Sequence, residues 1–582
     1  MVRLFKKIMS EIDFLSILND TNSEKNEDTG EITITVPKLE TEDEYHITTS
    51  CKITSNCNTV ITSKLFKIKS PKVFLSSIEF DSAVLVESVE SVSFDNCTVK
   101  NPAQTFNGTL TISDSGDVSL SHVTIIESGK IPGLYVTRNS FVNATNLHVH
   151  DLEATLVLCN LGSFLTITDS IIHHTPFNGF HISGQSYIEI RKCQIHDTGY
   201  PAIIANSSQC IFVENEIKNV EQTGIAVDSS QDFLIEKNKL SNITATAINA
   251  SEKSSGIIKE NEIFDTKGNG ILISSSDVKV TENSIKNAGY PSIAVLGRSI
   301  ATVTDNKIEG INLNGVCVRN AKDVTIENCE IKDVKEIGIS VSDTENCIIK
   351  NNTIKNCKVA AIESYNNSKV FVNDNIMVNI GQFAFLVYTF GYMKAENNQI
   401  SDVQNAMVNL LYKGSGDFVN NRFSNCQNQF ESQTSSAFFF SGNGIFPAVT
   451  NDVKRANDSV VLVDSFNDSN LLCLKCKKNK RDCFIMDCGH KVFCKECAEK
   501  AKANNEACPL CRFPVKDISN LFAVSDDDIC IICCDKKSDC LVLPCGHLGM
   551  CSSCLENWYS TKKCCPICRT EPSFYKKIIN DM

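Results

Sequence analysis

The feature that most constrains the fold is a polar column that recurs every 22 or 23 residues through the middle of the chain. Its members are Asn215, Asn238, Asn261, Asn283, Asn306, Cys329, Asn352, Asn375 and Asn398. A less regular extension runs upstream through Cys193, Ser170, Leu147, Val123 and Cys97. A period of about 20–50 residues indicates a repeat architecture, in which each unit buries its apolar face only against its neighbours.

Apolar residues hold fixed places behind each member of the column. Two residues after it stand Ile217, Leu240, Ile263, Ile285, Ile308, Ile331, Ile354, Met377 and Ile400. Ten residues after it stand Ile225, Ile248, Ile271, Ile293, Val316, Ile339, Ile362, Phe385 and Val408, usually followed two places later by another apolar residue. Such alternation indicates short strands with one face inward, and the small residues before the second strand suit tight corners. A parallel β-helix is predicted; a leucine-rich repeat would need Leu where Ile and Val dominate.

A second polar column lies four residues after the first. It contains Asn219, Asn242, Asp265, Asn287, Gly310, Asp333, Asn356, Asn379 and Asp402. Because Asn and Asp alternate freely there, we expect a structural ladder and not a catalytic carboxylate pair, which inverting hydrolysis would need. We likewise expect His173, His174 and His196 to be ladder or surface residues and not metal ligands.

These units resemble the right-handed parallel β-helix repeats of pectin-degrading enzymes and of some F-box proteins. The resemblance covers about residues 75–430, roughly fourteen coils. It implies an N-terminal cap over residues 1–63, a β-helix over 64–447 and a linker over 448–470. Since many unrelated functions share one fold, the resemblance alone assigns no chemistry to this part.

Charge and cysteine content separate the last 110 or so residues from the rest. Eighteen of the 29 cysteines fall between Cys473 and Cys568. Residues 471–582 carry 18 Lys and Arg against 14 Asp and Glu, a net of +4, so residues 1–470 carry −17 of the chain's net −13. Neither part offers the strongly basic face that nucleic acid requires, so no nucleic-acid partner is expected.

The cysteine-rich tail contains two copies of one pattern. The first copy holds Cys473, Cys476, Cys488, His490, Cys494, Cys497, Cys508 and Cys511. The second holds Cys530, Cys533, Cys545, His547, Cys551, Cys554, Cys565 and Cys568. Every member is displaced by 57 residues from its counterpart, and the spare Cys483 maps onto Cys540 in the same way. The tail therefore consists of two homologous modules.

Thiolate pairs spaced Cys-x2-Cys and a histidine in register are the ligand types that Zn²⁺ prefers in tetrahedral sites. The alternative is a disulfide framework, which belongs to exported proteins. The N-terminal segment lacks the continuous apolar core and small-residue cleavage site of a secretory signal, and no apolar run reaches about 18–20 residues. We therefore expect a non-secreted protein of the cytoplasm or nucleus, without a membrane partner, whose thiols bind zinc.

The order of three cysteines, one histidine and four cysteines resembles the RING finger family. The family's cross-brace implies one zinc on Cys473, Cys476, Cys494 and Cys497 and another on Cys488, His490, Cys508 and Cys511. In the second copy the corresponding sets are Cys530, Cys533, Cys551, Cys554 and Cys545, His547, Cys565, Cys568. The predicted chain is thus mostly β, a right-handed parallel β-helix solenoid followed by two zinc-bound cross-brace RING domains, with four zinc ions. RING finger 1 is predicted over 471–514, a linker over 515–528 and RING finger 2 over 529–582.

The same resemblance implies partners: a ubiquitin-conjugating E2 enzyme and ubiquitin. The family's E2 contacts fall on Ile531, Trp558, Pro566 and Arg569 in the second finger and on Leu474, Pro509 and Arg512 in the first. The first finger has Ala501 where the aromatic should stand, so the second is the better predicted ligase and the first is expected to pack, dimerise or bind E2 weakly. RING zincs are structural, and no catalytic nucleophile is predicted.

For the β-helix we predict a surface that binds a protein substrate. Tyr365 and Tyr388 stand thirteen residues past the first column in adjacent coils, with Phe390, Tyr392 and Tyr412 close by. Exposed aromatics are typical binding anchors. The predicted function is a RING-type E3 ubiquitin ligase. Two alternatives stay open: a non-catalytic zinc-stapled scaffold, and a polysaccharide-active β-helix enzyme.

Overall fold

The structure is a computed structural model. It describes residues 11–446 except 20, 104–105, 427, 433–436 and 442. In the tail it describes residues 472–473, 475–479, 483–485, 493–504, 506, 515, 518–520, 522–523, 530, 532–533, 540–543, 547–562, 564–567 and 574–577. The chain divides into two compact units, Met1–Leu313 and Asn314–Met582.

In the first unit each coil contributes three short strands, one to each of three parallel faces. The first face contains Glu11–Asp13, Glu44–Ile47, Leu65–Ile68, Val84–Glu87, Leu110–Ser113, Leu134–Thr137, Val157–Cys159, Phe180–Ile182, Ile203–Asn206, Ile225–Asp228, Ile248–Ser251, Ile271–Ser274 and Ile293–Leu296. The second contains Ile32–Ile34, Ser91–Asp95, Asp117–Ser121, Phe141–Thr145, Phe164–Thr168, Tyr187–Arg191, Gln209–Val213, Phe233–Glu236, Ser255–Lys259, Asp277–Thr281 and Ile300–Thr304. The third contains Lys38–Glu40, Thr98–Lys100, Thr124–Ile126, His148–His150, Ile171–Thr175, Gln194–Thr198, Glu216–Val220, Lys239–Ile243, Glu262–Thr266, Ser284–Ala288 and Lys307–Ile311.

The second unit repeats the same three faces. Its first face contains Val316–Arg319, Ile337–Ser342, Ala360–Tyr365, Phe383–Tyr388, Ala406–Leu411 and Asn428–Ser432. Its second face contains Asp323–Glu327, Asn346–Lys350, Lys369–Asn373, Tyr392–Glu396, Ser415–Val419 and Ala437–Ser441. Its third face contains Glu330–Val334, Thr353–Cys357, Ile376–Ile380, Gln399–Val403, Arg422–Ser424 and Gly444–Phe446. The predicted parallel β-helix is confirmed.

The coils begin earlier than the sequence indicated. Glu44–Ile47 pairs in parallel with both Glu11–Asp13 and Leu65–Ile68, so coils lie within the segment 1–63 that was predicted as a cap. Two long strands, Cys51–Thr62 and Lys72–Asp81, serve the second and third faces at once, and their register shifts between Thr54 and Thr59. That bulge adds residues to the coil and breaks the 22–23-residue spacing, so the repeat does not show in the sequence.

A short helix covers the end of these first coils. The helix Phe14–Ile17 is capped by the side chain of Asp13, and Phe14 is fully buried. Its ring meets those of Tyr45 and Phe66 edge-on, at 5.2 and 5.0 Å between centroids. Ser23–Lys25 adds an antiparallel strand beside Ile32–Ile34. Together they bury apolar residues that an open coil would expose, which is what a terminal repeat must do.

The predicted apolar positions line the interior. Ile217, Ile225 and Val227 are fully buried, as are their equivalents along the coils. A glycine is needed at the corner before the first face, because a Cβ on Gly224 would lie 2.6 Å from the carbonyl oxygen of Ala247 in the next coil. Coils therefore stack closely at that corner.

The first polar column forms a buried amide ladder. The Oδ1 atom of Asn283 accepts hydrogen bonds from the backbone N–H and from Nδ2 of Asn261, at 3.0 and 2.9 Å. Its own Nδ2 donates to Asn306 and to the carbonyl oxygens of Ile258 and Thr281, each at 3.0 Å. Every polar atom of the side chain is thus paired in the interior, which makes the buried amide affordable in free energy. Asn421 and Asn443 extend the ladder past the predicted column.

Cysteine takes the place of asparagine in three coils. The backbone N–H of Cys193 donates to Asn215 Oδ1 at 2.9 Å, and that of Cys329 donates to Asn352 Oδ1 at the same distance. Burial raises the pKa of Cys97 to about 11 and that of Cys193 to about 12, so these thiols stay neutral. They behave as small buried side chains.

The second polar column has a backbone cause. Asn219, Asn242 and Asp265 have φ angles of 55°, 52° and 55°, in the left-handed region that Asn, Asp and Gly tolerate best. Their side chains form an exposed ladder in which Asn242 Nδ2 donates to Asn219 Oδ1 at 2.8 Å. The recurrent acids belong to the same ladder, since Asn287 Nδ2 donates to Asp265 Oδ1 at 2.9 Å. The structural interpretation of this column is therefore confirmed.

A third ladder was not foreseen. Serines at the corner between the first and second faces link successive coils, as when the backbone N–H of Ser208 donates to Ser230 Oγ and that of Ser230 donates to Ser254 Oγ, each at 3.1 Å. Ser140 and Ser163 continue the pattern upstream. Serine is common in turns and was therefore not distinguished from an ordinary loop residue.

The tail contains two small zinc-finger-sized modules with matching elements. The first has strands Cys483–Ile485 and Ile518–Asn520, which pair antiparallel, and the helix Lys495–Ala503. The second has strands Phe522–Ala523, Cys540–Leu543, His547–Met550 and Phe574–Lys577 and the helix Ser552–Lys562. Both the first helix and the strand at Cys483 recur 57 residues later. Among the described residues, no helix combines the length and apolarity needed to cross a bilayer.

Candidate metal centres

The cysteine pairs of each module converge on one point. In the first module Cys473, Cys476, Cys494 and Cys497 place their sulfur atoms within 4.8 Å of one another. In the second, Cys530, Cys533, Cys551 and Cys554 do the same. The sets interleave along the chain, since the first and third pairs of each module meet and skip the ligands between them.

The spacing of the sulfur atoms matches a tetrahedral zinc site. The Sγ atoms of Cys476 and Cys494 are 3.8 Å apart, and those of Cys533 and Cys551 are 3.9 Å apart. Four Zn–S bonds of about 2.3 Å arranged tetrahedrally separate their sulfur atoms by roughly 3.8 Å. Four thiols at this spacing fit Zn²⁺, so the predicted cofactor is confirmed in kind at these two clusters.

Local structure brings the thiols together in a form suited to a cation. Cys494 precedes the helix Lys495–Ala503 and Cys497 lies in its first turn, so both sulfur atoms sit at one helix end. Hydrogen bonds from the backbone N–H groups of Asn479 and Lys478 lower the pKa of Cys476 to about 6. Burial, followed by the neighbouring thiols, raises the pKa of Cys497 to about 12. A bound dication would relieve this mutual repulsion and hold all four as thiolates.

The remaining ligands are described only in part. In the second module Cys565 Sγ lies 3.8 Å from His547 Nδ1, as members of one ligand set should. Their predicted partners Cys545 and Cys568 lie outside the described residues, as do Cys488, His490, Cys508 and Cys511 of the first module. A total of four zinc ions per chain therefore stays a prediction.

Each finger has a small core on the metal-facing side of its helix. In the first finger Ala498 and Ala501 are fully buried against Phe493 and Val515. In the second, Leu555 packs with Met550 and the ligands Cys551 and Cys565. The position that holds Ala501 in the first finger holds Trp558 in the second. Ala501 therefore has no surface to present to a partner.

Trp558 is half-buried and fixed in orientation. Its Nε1–H donates to the carbonyl oxygen of Cys564 at 2.9 Å, directly before the ligand Cys565. Pro566 follows in the same turn and is also half-buried. The indole is thus held beside the turn that carries the last zinc ligands. The other predicted E2 contacts, Ile531, Arg569, Leu474, Pro509 and Arg512, lie outside the described residues.

Comparison with known protein families agrees with this division of the chain. A family model described as "Right handed beta helix region" matches residues 41–187, 132–281, 178–316 and 252–400, which together cover more than half of the chain. The chain belongs to the right-handed β-helix family. A second model, "Zinc finger, C3HC4 type (RING finger)", matches residues 469–518 and 526–573 of this β-helix protein. The two RING fingers and the handedness of the solenoid, both expected from the sequence, are confirmed.

Curated relatives match the β-helix protein over its RING region. The E3 ubiquitin-protein ligase APD1 of Arabidopsis thaliana is 36% identical over 61 residues, 10% of this chain and 14% of the relative. APD4 of the same plant, also an E3 ubiquitin-protein ligase, is 33% identical over 106 residues, 17% and 23%. RING finger protein 141 of Danio rerio is 40% identical over 48 residues, 8% and 21%. The chain thus spans less than a quarter of these relatives.

Solved structures share the solenoid only loosely with this β-helix protein. A double mutant of the periplasmic alginate epimerase AlgG aligns with a TM-score of 0.29 and 13% identity, covering 63% of this chain and 78% of the epimerase. The surface adhesin PfbA of Streptococcus pneumoniae gives 0.23 and 12%, covering 55% and 85%. Likeness at this level carries no argument about activity.

The aromatic residues predicted to bind substrate lie on neighbouring coils of the second unit. The rings of Tyr365 and Tyr388 stack at 4.9 Å between centroids, with 6° between their planes. Phe390 and Tyr412 are 55% and 62% exposed in successive turns. Tyr392 donates its hydroxyl to Asp417 Oδ2 at 2.7 Å. The exposed pair of Phe390 and Tyr412 is thus more accessible than the stacked tyrosines.

A buried carboxyl lies beneath the stacked tyrosines. Glu363 accepts hydrogen bonds from the Tyr388 hydroxyl at 3.0 Å and from Ser340 Oγ at 2.6 Å. Burial raises the pKa of Glu363 above its ordinary value. A carboxyl with a raised pKa in the folded state favours folding at low pH and loses that contribution as pH rises past its unfolded-state pKa.

Replacing this carboxyl should therefore change the pH dependence of stability. We expect Glu363→Gln to raise the Tm more at pH 8 than at pH 5, because the amide keeps the volume but cannot ionise. Thermal unfolding followed by far-UV circular dichroism at both pH values measures the difference. An equal change in Tm at the two pH values would show that Glu363 does not ionise at a cost.

Proposed function

We propose that this β-helix protein is a RING-type E3 ubiquitin-protein ligase, in which the second finger recruits an E2 enzyme charged with ubiquitin. The observation that carries the proposal is Trp558, held by its hydrogen bond to Cys564 beside the zinc-ligand turn of a RING finger. The same place in the first finger holds the buried Ala501. The E3 ligases among the relatives support the activity over the RING region.

The proposed mechanism is one of positioning. The four-thiol clusters fill every coordination place with protein ligands, so they hold the fold and leave none for a reacting water. The finger binds the E2 through Trp558, Pro566 and Ile531, while Arg569 contacts both the E2 and ubiquitin. Restricting the thioester to geometries open to an attacking lysine accelerates transfer without a nucleophile from this chain.

We propose that the β-helix supplies the protein substrate. Phe390 and Tyr412 expose large aromatic surfaces on consecutive turns, and Lys413 Nζ lies 5.1 Å from the Phe390 ring centroid. Exposed aromatics next to a cation suit a partner segment with apolar and acidic side chains. The first finger would pack on or dimerise with another finger, and the protein would act in the reducing cytoplasm or nucleus.

A reconstituted reaction tests this function. The full chain is incubated with E1, a panel of E2 enzymes, ubiquitin and ATP. We expect ubiquitin chains with at least one E2, and we expect Ile531→Ala to reduce their rate about tenfold or more, a loss of at least roughly 1.4 kcal/mol. Leu474→Ala is the matched control in the first finger and should have little effect.

Two outcomes would contradict the proposal. Failure of every E2 to give chains with zinc-loaded protein would favour the alternative of a non-catalytic scaffold. Equal activity of the wild type and Ile531→Ala, with a loss in Leu474→Ala, would move the ligase activity to the first finger.

A further inference from the structure

Five histidines of this chain, half of its ten, gather on the third face of three successive coils in the first unit. They stand on or beside the strands His148–His150, Ile171–Thr175 and Gln194–Thr198. The parallel register places His150 opposite His173, and His173 opposite His196. The next coil has Lys218 at this position, so the histidines form a local group and not a ladder along the whole solenoid.

Three of these side chains offer nitrogen atoms to a common point. The ligand nitrogens of His148, His150 and His173 lie within 4.8 Å of one another. The Nε2 atoms of His148 and His173 are 2.8 Å apart, and the rings of His150 and His173 are stacked at 5.0 Å between centroids. All three side chains are half-buried, so they are partly ordered by packing and still accessible to an ion.

Electrostatics keeps the central imidazole neutral. Burial, and then the neighbouring His196 and His150, lowers the pKa of His173 to about 4. Burial and the His150 ring likewise lower the pKa of His148. Several imidazoles in contact gain little from one another unless a cation joins them, and the neutral ring is the form that binds a metal.

A carboxylate orients one of the rings. Asp151 Oδ2 lies 2.6 Å from His150 Nδ1, which fixes the proton on that nitrogen and leaves Nε2 as the free electron-pair donor. A carboxylate behind the histidine is the usual arrangement around metal-bound imidazoles, where it sets the tautomer and raises the basicity of the ligand nitrogen.

A second trio competes for the same residue. His173, His174 and His196 also bring their ligand nitrogens within 4.8 Å, and Asp197 lies 2.7 Å from His196 Nδ1. However, His174 is 54% exposed and its Nε2 atom faces Asp197 at 3.6 Å. The first trio is the less exposed of the two, and sharing of His173 limits the pair of trios to one ion.

We propose that His148, His150 and His173 bind one divalent transition-metal ion of the imidazole-preferring class, with Zn²⁺ as the expected occupant. This site lies on the β-helix and is independent of the RING fingers and of the proposed ligase activity. Three protein ligands leave one coordination place of a tetrahedral ion open on the protein surface. Water or a side chain of a bound partner can fill that place.

Metal binding by the full chain tests the site. Protein loaded with zinc in its fingers is dialysed against a series of chelator-buffered Zn²⁺ concentrations, and bound zinc is measured by atomic emission. We expect one ion per chain beyond those of the fingers, and we expect both His148→Gln and His173→Gln to weaken its binding at least about tenfold. His122→Gln, which removes an exposed histidine outside the trio, is the matched control and should change nothing.

Other variants and a second metal identify the ligands. His174→Gln should keep the ion, whereas its loss there with retention in His148→Gln would overturn the assignment to this trio. Co²⁺ added to the zinc-loaded protein should give visible bands without a thiolate charge-transfer band, since no sulfur is a ligand. Equal zinc content of the wild type and His173→Gln, or binding weaker than about 10 μM, would overturn the site.

Discussion

Replacing Cys551 with serine should remove the four-thiol zinc from the second finger and abolish ubiquitin-chain formation. Cys551 is buried beside Met550 and Leu555, and its sulfur lies 3.9 Å from that of Cys533. A serine hydroxyl does not ionise near neutral pH and is a poor zinc ligand. Structural zinc contributes roughly 10–16 kcal/mol of folding free energy to finger-sized modules, so the finger should unfold.

Matched cysteine variants separate zinc loss from general damage. Cys494→Ser removes the equivalent ligand of the first finger and should lower zinc content to the same extent while sparing much of the activity. Cys564→Ser removes a thiol that is not a ligand and should keep both zinc and activity. In all three the far-UV signal of the β-helix should persist, because its stability comes from coil stacking. Unchanged zinc content in Cys551→Ser would contradict the assignment of this ligand.

The second large effect is expected inside the β-helix. Asn283→Ala should destabilise the solenoid by roughly 3–6 kcal/mol, because truncation leaves several buried polar groups unpaired at about 1–3 kcal/mol each. The groups that lose a partner are the backbone N–H and Nδ2 of Asn261 and the carbonyl oxygens of Ile258 and Thr281. Urea unfolding followed by circular dichroism measures the change.

Asn287→Ala is the control for this experiment. It lies four residues along in the exposed ladder, where its Nδ2 bond to Asp265 faces solvent. The loss there should be limited to the cost of alanine at a φ of 55°, about 1–2 kcal/mol. If both variants lose the same stability, the buried ladder has no special role in holding the coils.

The two repeats in the sequence predicted most of this architecture. The asparagine column could be read because a buried amide needs partners at one fixed place in every coil, so evolution leaves little freedom at Asn238 or Asn261. The zinc ligands could be read for a similar reason: tetrahedral geometry fixes residue type and spacing, and the 57-residue offset separates Cys565 from its neighbour Cys564.

Features that depend on side-chain convergence across coils could not be read. The first coils were missed because the bulge between Thr54 and Thr59 changes their length. The serine corner at Ser208 and Ser230 was missed because serine is ordinary in turns. His148 and His150 attracted no attention alone; the signal was the 23-residue recurrence of His150, His173 and His196, which gains meaning only when parallel register places them side by side.

The central claim is that the second finger activates an E2 charged with ubiquitin, and single-turnover discharge of a preformed E2–ubiquitin thioester onto free lysine tests it most directly. We predict that the full chain accelerates discharge at least about tenfold over the E2 alone, and that Trp558→Ala with full zinc content removes most of the acceleration. Discharge by zinc-loaded Trp558→Ala at the wild-type rate, or no acceleration by the wild type with any E2, would contradict the account.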